Sequence, residues 1–565
     1  PDAGYLYRTN QANFKKIPGS PIAYWASANL IHDFEVGTRM DKIVEPRQGL
    51  ATADNNRFLR QWFEVSLNNI KFDAKSIDES ISSNKKWFPY NKGGSYRKWY
   101  GNYDYVINWQ NNGEEVRNFK FPNGKQRSVV RNPNYYFRES ITWSLITSGG
   151  FSIRYRQPGS IHDVSGMSAF SETHKNLIAI LGLMNSPIGN HVFKMLNPTI
   201  NLQIGDFNSF PVQAKIFNNP NIINLINNQL DITKADWNQS ETSWGFTQHP
   251  LLSKIDEHNR NWTVEAAYES WADEAQTRFD QLKANEEELN RIFIDLYGLQ
   301  DELTPEVEDK DVSVRRADQN RDIKSLLSYF IGLVFGRYSL DVDGLAFAGG
   351  EFDKSKYTTF IPNTDDVVML TDADYFGDER DIMYRFKEFL AVTFGEDNLL
   401  QNLSFIADVL GGKGKPEEVI RNYFFKDFFK DHVQIYKKRP IYWQLESGKL
   451  GGFKALIYLH RYDENTMAMI RTNYLNELQN AYEARLSTLA NLIDNATDTK
   501  SKNGYEKQRV KLTNQLDELV IFEDKVAYLA NKHVDLDLDD GVVENYKKVQ
   551  SDEDGNLLNV FSKLK

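Results

Sequence analysis

The chain has 565 residues, with 67 Lys/Arg against 78 Asp/Glu and a net charge of −11. Its 41% hydrophobic and 13% aromatic content is that of a globular protein with sizeable cores, and its length predicts about two to four domains. It has no cysteine, which excludes disulfides and thiolate metal sites and fits a reducing, cytoplasmic setting.

The longest near-apolar run, Leu326 to Gly336, is 11 residues, too short to span a bilayer. No signal peptide is visible, and no membrane partner is expected. The charge is uneven. Residues 1–213 carry 25 Lys/Arg and 17 Asp/Glu, and the remainder carries 42 and 61. Within residues 85–156 there are 13 Lys/Arg and only 4 Asp/Glu, interleaved with aromatics, amides and glycines. Such a segment suits a polyanion: cations neutralise phosphates, and Arg, Asn and Gln match base edges.

In chain order, residues 18–213 predict a mixed α/β domain. Short β-rich runs at 103–109, 128–131, 141–146 and 151–155 are separated by turn residues. Asn111-Asn112-Gly113 and Pro122-Asn123-Gly124 are turn signals. Leu177, Ile180, Leu181, Met184, Ile188 and Val192 repeat at helical spacing, with Pro187 expected to kink the helix or start a new turn. Residues 214–261, rich in Asn, read as a linker region.

From 262 the pattern is mainly helical. Asn285 with Glu288 resembles a capped helix start, and Gly298 a stop. Further helices are expected at 322–340, 380–394, 399–410 and 416–429, with a strand pair at 441–445 and 453–459. Residues 466–532 predict two long antiparallel helices turning near Asn503-Gly504, followed by a tail to 565. The fold class is therefore α+β: a mixed α/β domain followed by a mainly helical region with a long helical hairpin.

Motifs of chemistry are weak. Asn132-Pro133-Asn134-Tyr135 resembles the Asn-Pro-Pro-Tyr loop of amino-methyltransferases but departs at the third position, and it reads as a turn. No Phe-x-Gly-x-Gly segment exists. Glu308-Asp309-Lys310 reads as a solvated loop, and Gly411 to Lys415 lacks phosphate-loop spacing. The run Asp535 to Gly541 fails as a calcium loop, and the nine His show no paired metal spacing. No catalytic, cofactor or metal residue is expected in this segment.

Five ordered blocks carry a resemblance. They are Lys16–Trp25, Gly49–Trp62, Lys86–Gly101, Ile141–Ile146 and Leu196–Asp206. Together they resemble the PglX family, the adenine-specific DNA methyltransferases of BREX phage-defence systems. The blocks at 325–343 and 438–449 have the same look.

That resemblance implies a parent enzyme whose N-terminal methyltransferase domain binds S-adenosyl-L-methionine. This chain, starting at Pro1, would hold the parts that follow: a connector at 1–17, a target-recognition domain at 18–213, the linker at 214–261, a mainly helical domain at 262–465, and the hairpin and tail at 466–565. The partner implied is double-stranded DNA, with other BREX proteins as further partners. Candidate DNA contacts are Lys92, Ser95, Tyr96, Arg97, Lys98, Arg127, Arg154 and Arg156, with Asn55, Asn56 and Arg57 as a second, base-reading loop. Trp87, Phe88, Trp99 and Tyr100 are expected in the core. Two rival readings are a stand-alone, non-catalytic DNA specificity subunit and a scaffold or carbohydrate-binding protein.

Overall fold

Short β-rich runs broken by Gly, Asn and Pro build several small sheets rather than one large one. The computed structural model describes residues 7–144, 150–197, 203–254 and 262–565. The end of the expected strand at 141–146, part of the block at 196–206, the last residues of 214–261 and the first six of the connector lie outside the described residues. The chain divides into two compact units, the first drawn from 1–62, 69–243 and 274–316, the second from 63–68, 244–273 and 317–565. The class is α+β.

Ten strands belong to unit 1: β1 (Thr38–Arg39), β2 (Glu45–Arg47), β3 (Leu59–Gln61), β4 (Trp87–Asn91), β5 (Tyr105–Asn108), β6 (Ser140–Ser144), β7 (Ile153–Arg156), β8 (Ile161–His162), β9 (Gly166–Phe170) and β10 (Pro211–Val212). They form an antiparallel sheet β2-β9-β6-β7, a mixed sheet β3-β5-β4-β8 with β4 and β8 parallel, and the pair β1-β10. Among the described residues of this unit there are two apolar cores. Phe58, Phe88, Tyr90, Ile107, Trp109 and Phe137 fill the smaller. The larger surrounds the helix His174–Asn185, which is buried from Leu177 to Asn185. Pro187 starts a new helix, Pro187–Leu196, as its fixed φ and missing N–H favour.

Several expectations need correction. Residues 128–131 form no strand; Val129 makes one isolated bridge to Ala51. Asn111, Asn112 and Gly113 make the expected turn, a left-handed one (φ 51°, 59° and 75°). The described part of 214–261 is not a linker. It holds the helix Pro220–Asn238, capped by Asn219, which buries Ile222, Ile226, Gln229 and Thr233. Its Asn residues at 221, 224, 227 and 228 face solvent, so a polar composition hid an amphipathic helix. Asn285 starts no helix; it lies inside Val264–Tyr297, a 34-residue helix.

In unit 2, β12 (Tyr442–Glu446) and β13 (Lys454–Tyr458) pair antiparallel as expected, and β11 (Val367–Met369) adds a third strand to β13. The helix Gln319–Phe335 ends at Gly336 in the left-handed conformation, and Leu399–Leu410 matches its expected bounds. The helix beginning at Pro416 breaks at Asp427 into Pro416–Lys426 and Phe428–Ile435. The long hairpin exists, but its turn is not at Asn503-Gly504. The first arm ends at Asp494, and the second, Thr499–Lys532, starts under the Asp498 cap. A carboxylate accepting the Ser501 N–H at 2.8 Å sets the helix start more strongly than an exposed glycine breaks a helix.

Candidate nucleic-acid interface

The Pro122-Asn123-Gly124 signal becomes a tight hairpin on unit 1. The Gly124 N–H donates to the Phe121 carbonyl at 2.8 Å, and the Phe121 N–H donates to the Lys125 carbonyl at 2.8 Å. Gly124 has φ 80°, a conformation that an L side chain disfavours. Lys120 bridges to Gln126, and the Val129–Ala51 bridge ties the hairpin to the segment before Asn55. There Asp54 caps the short helix Asn55–Phe58 by accepting the Arg57 N–H at 3.1 Å, and the Thr52 hydroxyl donates to Asn55 Oδ1 at 2.6 Å.

The two elements meet around Phe119. The Arg57 guanidinium lies 4.9 Å from its ring centroid and that of Arg127 4.7 Å. Arg127 is also 5.4 Å from Phe121, which is 44% exposed. Asn55, Asn56, Arg57, Lys120, Lys125 and Arg127 are all exposed. Stacking on a ring holds a guanidinium plane in place while leaving its N–H donors outward. The result is a preorganised basic ridge with an apolar tip. Lys120, Phe121 and Lys125 were not among the sequence candidates. The signal for them was a turn motif flanked on both sides by cations and an aromatic.

The second candidate group sits in the loop after β4. Ser95 and Tyr96 are exposed, and Lys92 is half-buried with its ammonium 5.2 Å from the Tyr105 ring. The Gly94 N–H donates to Ser144 Oγ at 3.1 Å, and Ser144 donates back to the Gly94 carbonyl at 2.9 Å. A Cβ at Gly94 would lie 2.6 Å from Asn102 Nδ2, so this close approach requires glycine.

Four of the expected cations do not face solvent. Lys98 is 7% exposed; its ammonium donates to Glu286 Oε2 at 2.9 Å, and Trp99 Nε1 donates to Glu286 Oε1. Burial works against the Lys98 charge, but Glu286 and Tyr96 outweigh it and hold the group above its usual range. Arg97 donates to Asp236 Oδ2 at 2.9 Å and to the Tyr100 carbonyl at 2.7 Å. Arg154 is 1% exposed and donates to the Arg97 carbonyl; burial, with Arg156 and Arg97 adding repulsion, brings it down to about 10. Arg156, 2% exposed, lies 3.9 Å from the Tyr103 ring centroid and donates to Ser160 and to the Asn102 carbonyl. Lys98, Arg154 and Arg156 are therefore corrected from candidate contacts to internal struts, and Arg97 is committed to Asp236. Trp87, Phe88, Trp99 and Tyr100 are buried, as expected.

No protein-family model matches the chain. It is 53% identical over 556 residues to the adenine-specific methyltransferase PglX of Lacticaseibacillus casei (strain Zhang), covering 98% of this chain and 46% of that protein. It is 36% identical over 579 residues to the adenine-specific methyltransferase BrxX of Escherichia coli O9:H4 (strain HS), covering 96% and 45%. The chain is similar to PglX-type methyltransferases along almost its whole length. It spans about half the length of these relatives.

Asn132-Pro133-Asn134-Tyr135, which resembles the Asn-Pro-Pro-Tyr loop of amino-methyltransferases, is a turn whose Asn132 and Tyr135 side chains are already engaged. Asn132 Nδ2 donates to the Gln48 carbonyl at 2.8 Å, the Tyr135 hydroxyl donates to Glu45, and Arg47 donates to Tyr135 at 2.9 Å. Among the described residues no group of His, Asp and Glu could hold a metal ion, and no helix is long and apolar enough to cross a membrane.

Proposed function

We propose that this chain is the DNA-recognition part of a site-specific N6-adenine DNA methyltransferase that marks host DNA in a BREX phage-defence system. The methyl donor, S-adenosyl-L-methionine, would be bound elsewhere in the parent enzyme. The observation that carries the reading is the similarity to PglX over 98% of this chain, in a relative about twice as long. The ridge built by Arg57, Phe119, Phe121 and Arg127 supplies the means of contact. It would lie on duplex DNA with its cations at phosphates or base edges, and Asn55 and Asn56 would add amides that match purines. Ser95, Tyr96 and Lys92 form the second candidate contact. Cytoplasmic location and contact with other BREX proteins follow from the same reading.

The test is duplex binding by the 565-residue chain across a salt series, with Arg57→Ala/Arg127→Ala as the comparison. Loss of two phosphate-facing cations should weaken binding at low salt and flatten the slope of log K against log salt by about two. An unchanged slope would remove the ridge from the interface. Absence of salt-sensitive binding by the unsubstituted chain would overturn the recognition reading.

A further inference from the structure

Unit 2 holds a hollow of about 560 Å³ lined by seven lysines and, among the described residues, one acidic side chain, Glu446. It is built from the helices Pro416–Lys426 and Phe428–Ile435, from β12 and β13, and from the C-terminal tail. Residues 214–565 carry 42 Lys/Arg against 61 Asp/Glu, so this convergence of cations runs against its surroundings.

Glu446 does not offset the lysines as a group. One of its oxygens pairs with Lys454 at 3.3 Å, and the other accepts from Ser562. Lys454 is further committed to the Phe425 carbonyl at 3.0 Å. Lys426, Lys430, Lys438 and Lys563 are exposed and have no acidic partner within 4 Å among the described residues.

A helix dipole explains part of the pattern only. Lys426 closes its helix and Lys438 follows the end of the next, where cations are favoured. Lys430 lies in the first turn of Phe428–Ile435, where the same dipole opposes a cation, and Lys563 is on no helix. The corner carrying Lys438 is also strained: Lys437 and Lys438 both have positive φ, 53° and 62°, which costs free energy for non-glycine residues. Like charges brought together on a strained corner destabilise the free protein, and an anion in the hollow removes that cost. The volume is that of a small-ligand site, and buried Phe429 and Val433 give it an apolar wall.

We propose that this hollow is a binding site for closely spaced phosphate groups. Its ligand chemistry is that of an oligophosphate, supplied by a free nucleotide or by a nucleic-acid backbone. The proposal stands on unit 2 alone and does not depend on the recognition reading of unit 1.

The test titrates the full chain with inorganic phosphate, tripolyphosphate, ATP and a short DNA duplex, following heat of binding and thermal midpoint. The comparison variants are Lys430→Glu/Lys438→Glu and, should that pair fail to fold, Lys563→Ala on the tail. Tripolyphosphate should bind more tightly than phosphate and raise the midpoint, and the double variant should lose about tenfold or more in affinity. ATP matching or exceeding tripolyphosphate assigns a nucleotide. Duplex binding that drops in Lys430→Glu/Lys438→Glu, with ATP no tighter than tripolyphosphate, assigns a nucleic-acid backbone. Equal, weak binding of every probe, unchanged in the variants, overturns the site.

Discussion

A cation's neighbours decide what it can do, and residues 85–156 contain both outcomes. Arg127 is stacked between rings at the surface, whereas Lys98 is sealed against Glu286. The two should respond differently to substitution. Lys98→Ala leaves Glu286 buried, 2% exposed, without its cation, and should lower stability by about 3 kcal/mol in a denaturant melt. Arg127→Ala removes an exposed group and should leave the melt nearly unchanged while weakening duplex binding. Phe121 separates charge from contact. Phe121→Ala should weaken duplex binding by about 1 kcal/mol if the ring meets bases, yet keep the full salt slope because no charge is lost. The same contrast shows why the sequence could name the basic segment but not its working members. Composition counts charges. Whether Glu286, 188 positions after Lys98, comes back to claim one is settled by tertiary folding.

At the scale of elements, legibility followed local physics. The helix around Leu177–Met184 and the strands β12 and β13 carry unambiguous apolar periodicity, and they formed where expected. The hairpin turn at residues 495–498 was missed because Asn503-Gly504 is a stronger turn signal in isolation than the Asp498 cap. β11 was missed because three residues are too few to show alternation. Caps also carry stability. Asp381, fully buried, accepts the N–H groups of Met383 at 2.9 Å and Tyr384 at 3.1 Å to start the helix Ile382–Phe394. It also receives two hydrogen bonds from Arg421, at 2.6 and 2.9 Å. Asp381→Ala removes the cap and strands the guanidinium, and should cost about 4 kcal/mol. Arg421→Met, which fills the volume, should cost less, because the carboxylate keeps its two backbone donors. Equal losses in the two variants would mean that the ion pair, and not the cap, holds this helix end.

Across the whole chain, buried titratable groups give stability a pH dependence of known sign. Burial pushes His249, His432 and His460 in unit 2 down to about 3 and His162 in unit 1 down to about 4, so all four are neutral in the fold. The unfolded chain protonates them near the ordinary histidine value of about 6.5, and the fold does not. Their contribution is complete above that value and declines as pH falls toward 3. Asp33 has the opposite sign. Burial raises it to about 7 against the opposing Gln213 hydrogen bond, so the fold holds a proton that the unfolded chain releases near 3.8. Its contribution is complete below 3.8 and fades as pH rises through 7. Burial also pushes the Asp366 carboxyl well up, and four imidazoles against these two carboxyls predict a thermal midpoint that drops between about pH 7 and about pH 5. Asp33→Asn tests one of the two carboxyls by itself. The amide oxygen still accepts from Gln213, and the titration is gone. The variant should gain more stability over the parent at about pH 8 than at about pH 5, read as the difference between their melting curves. A gain of equal size at both pH values would show that Asp33 stays ionised in the fold.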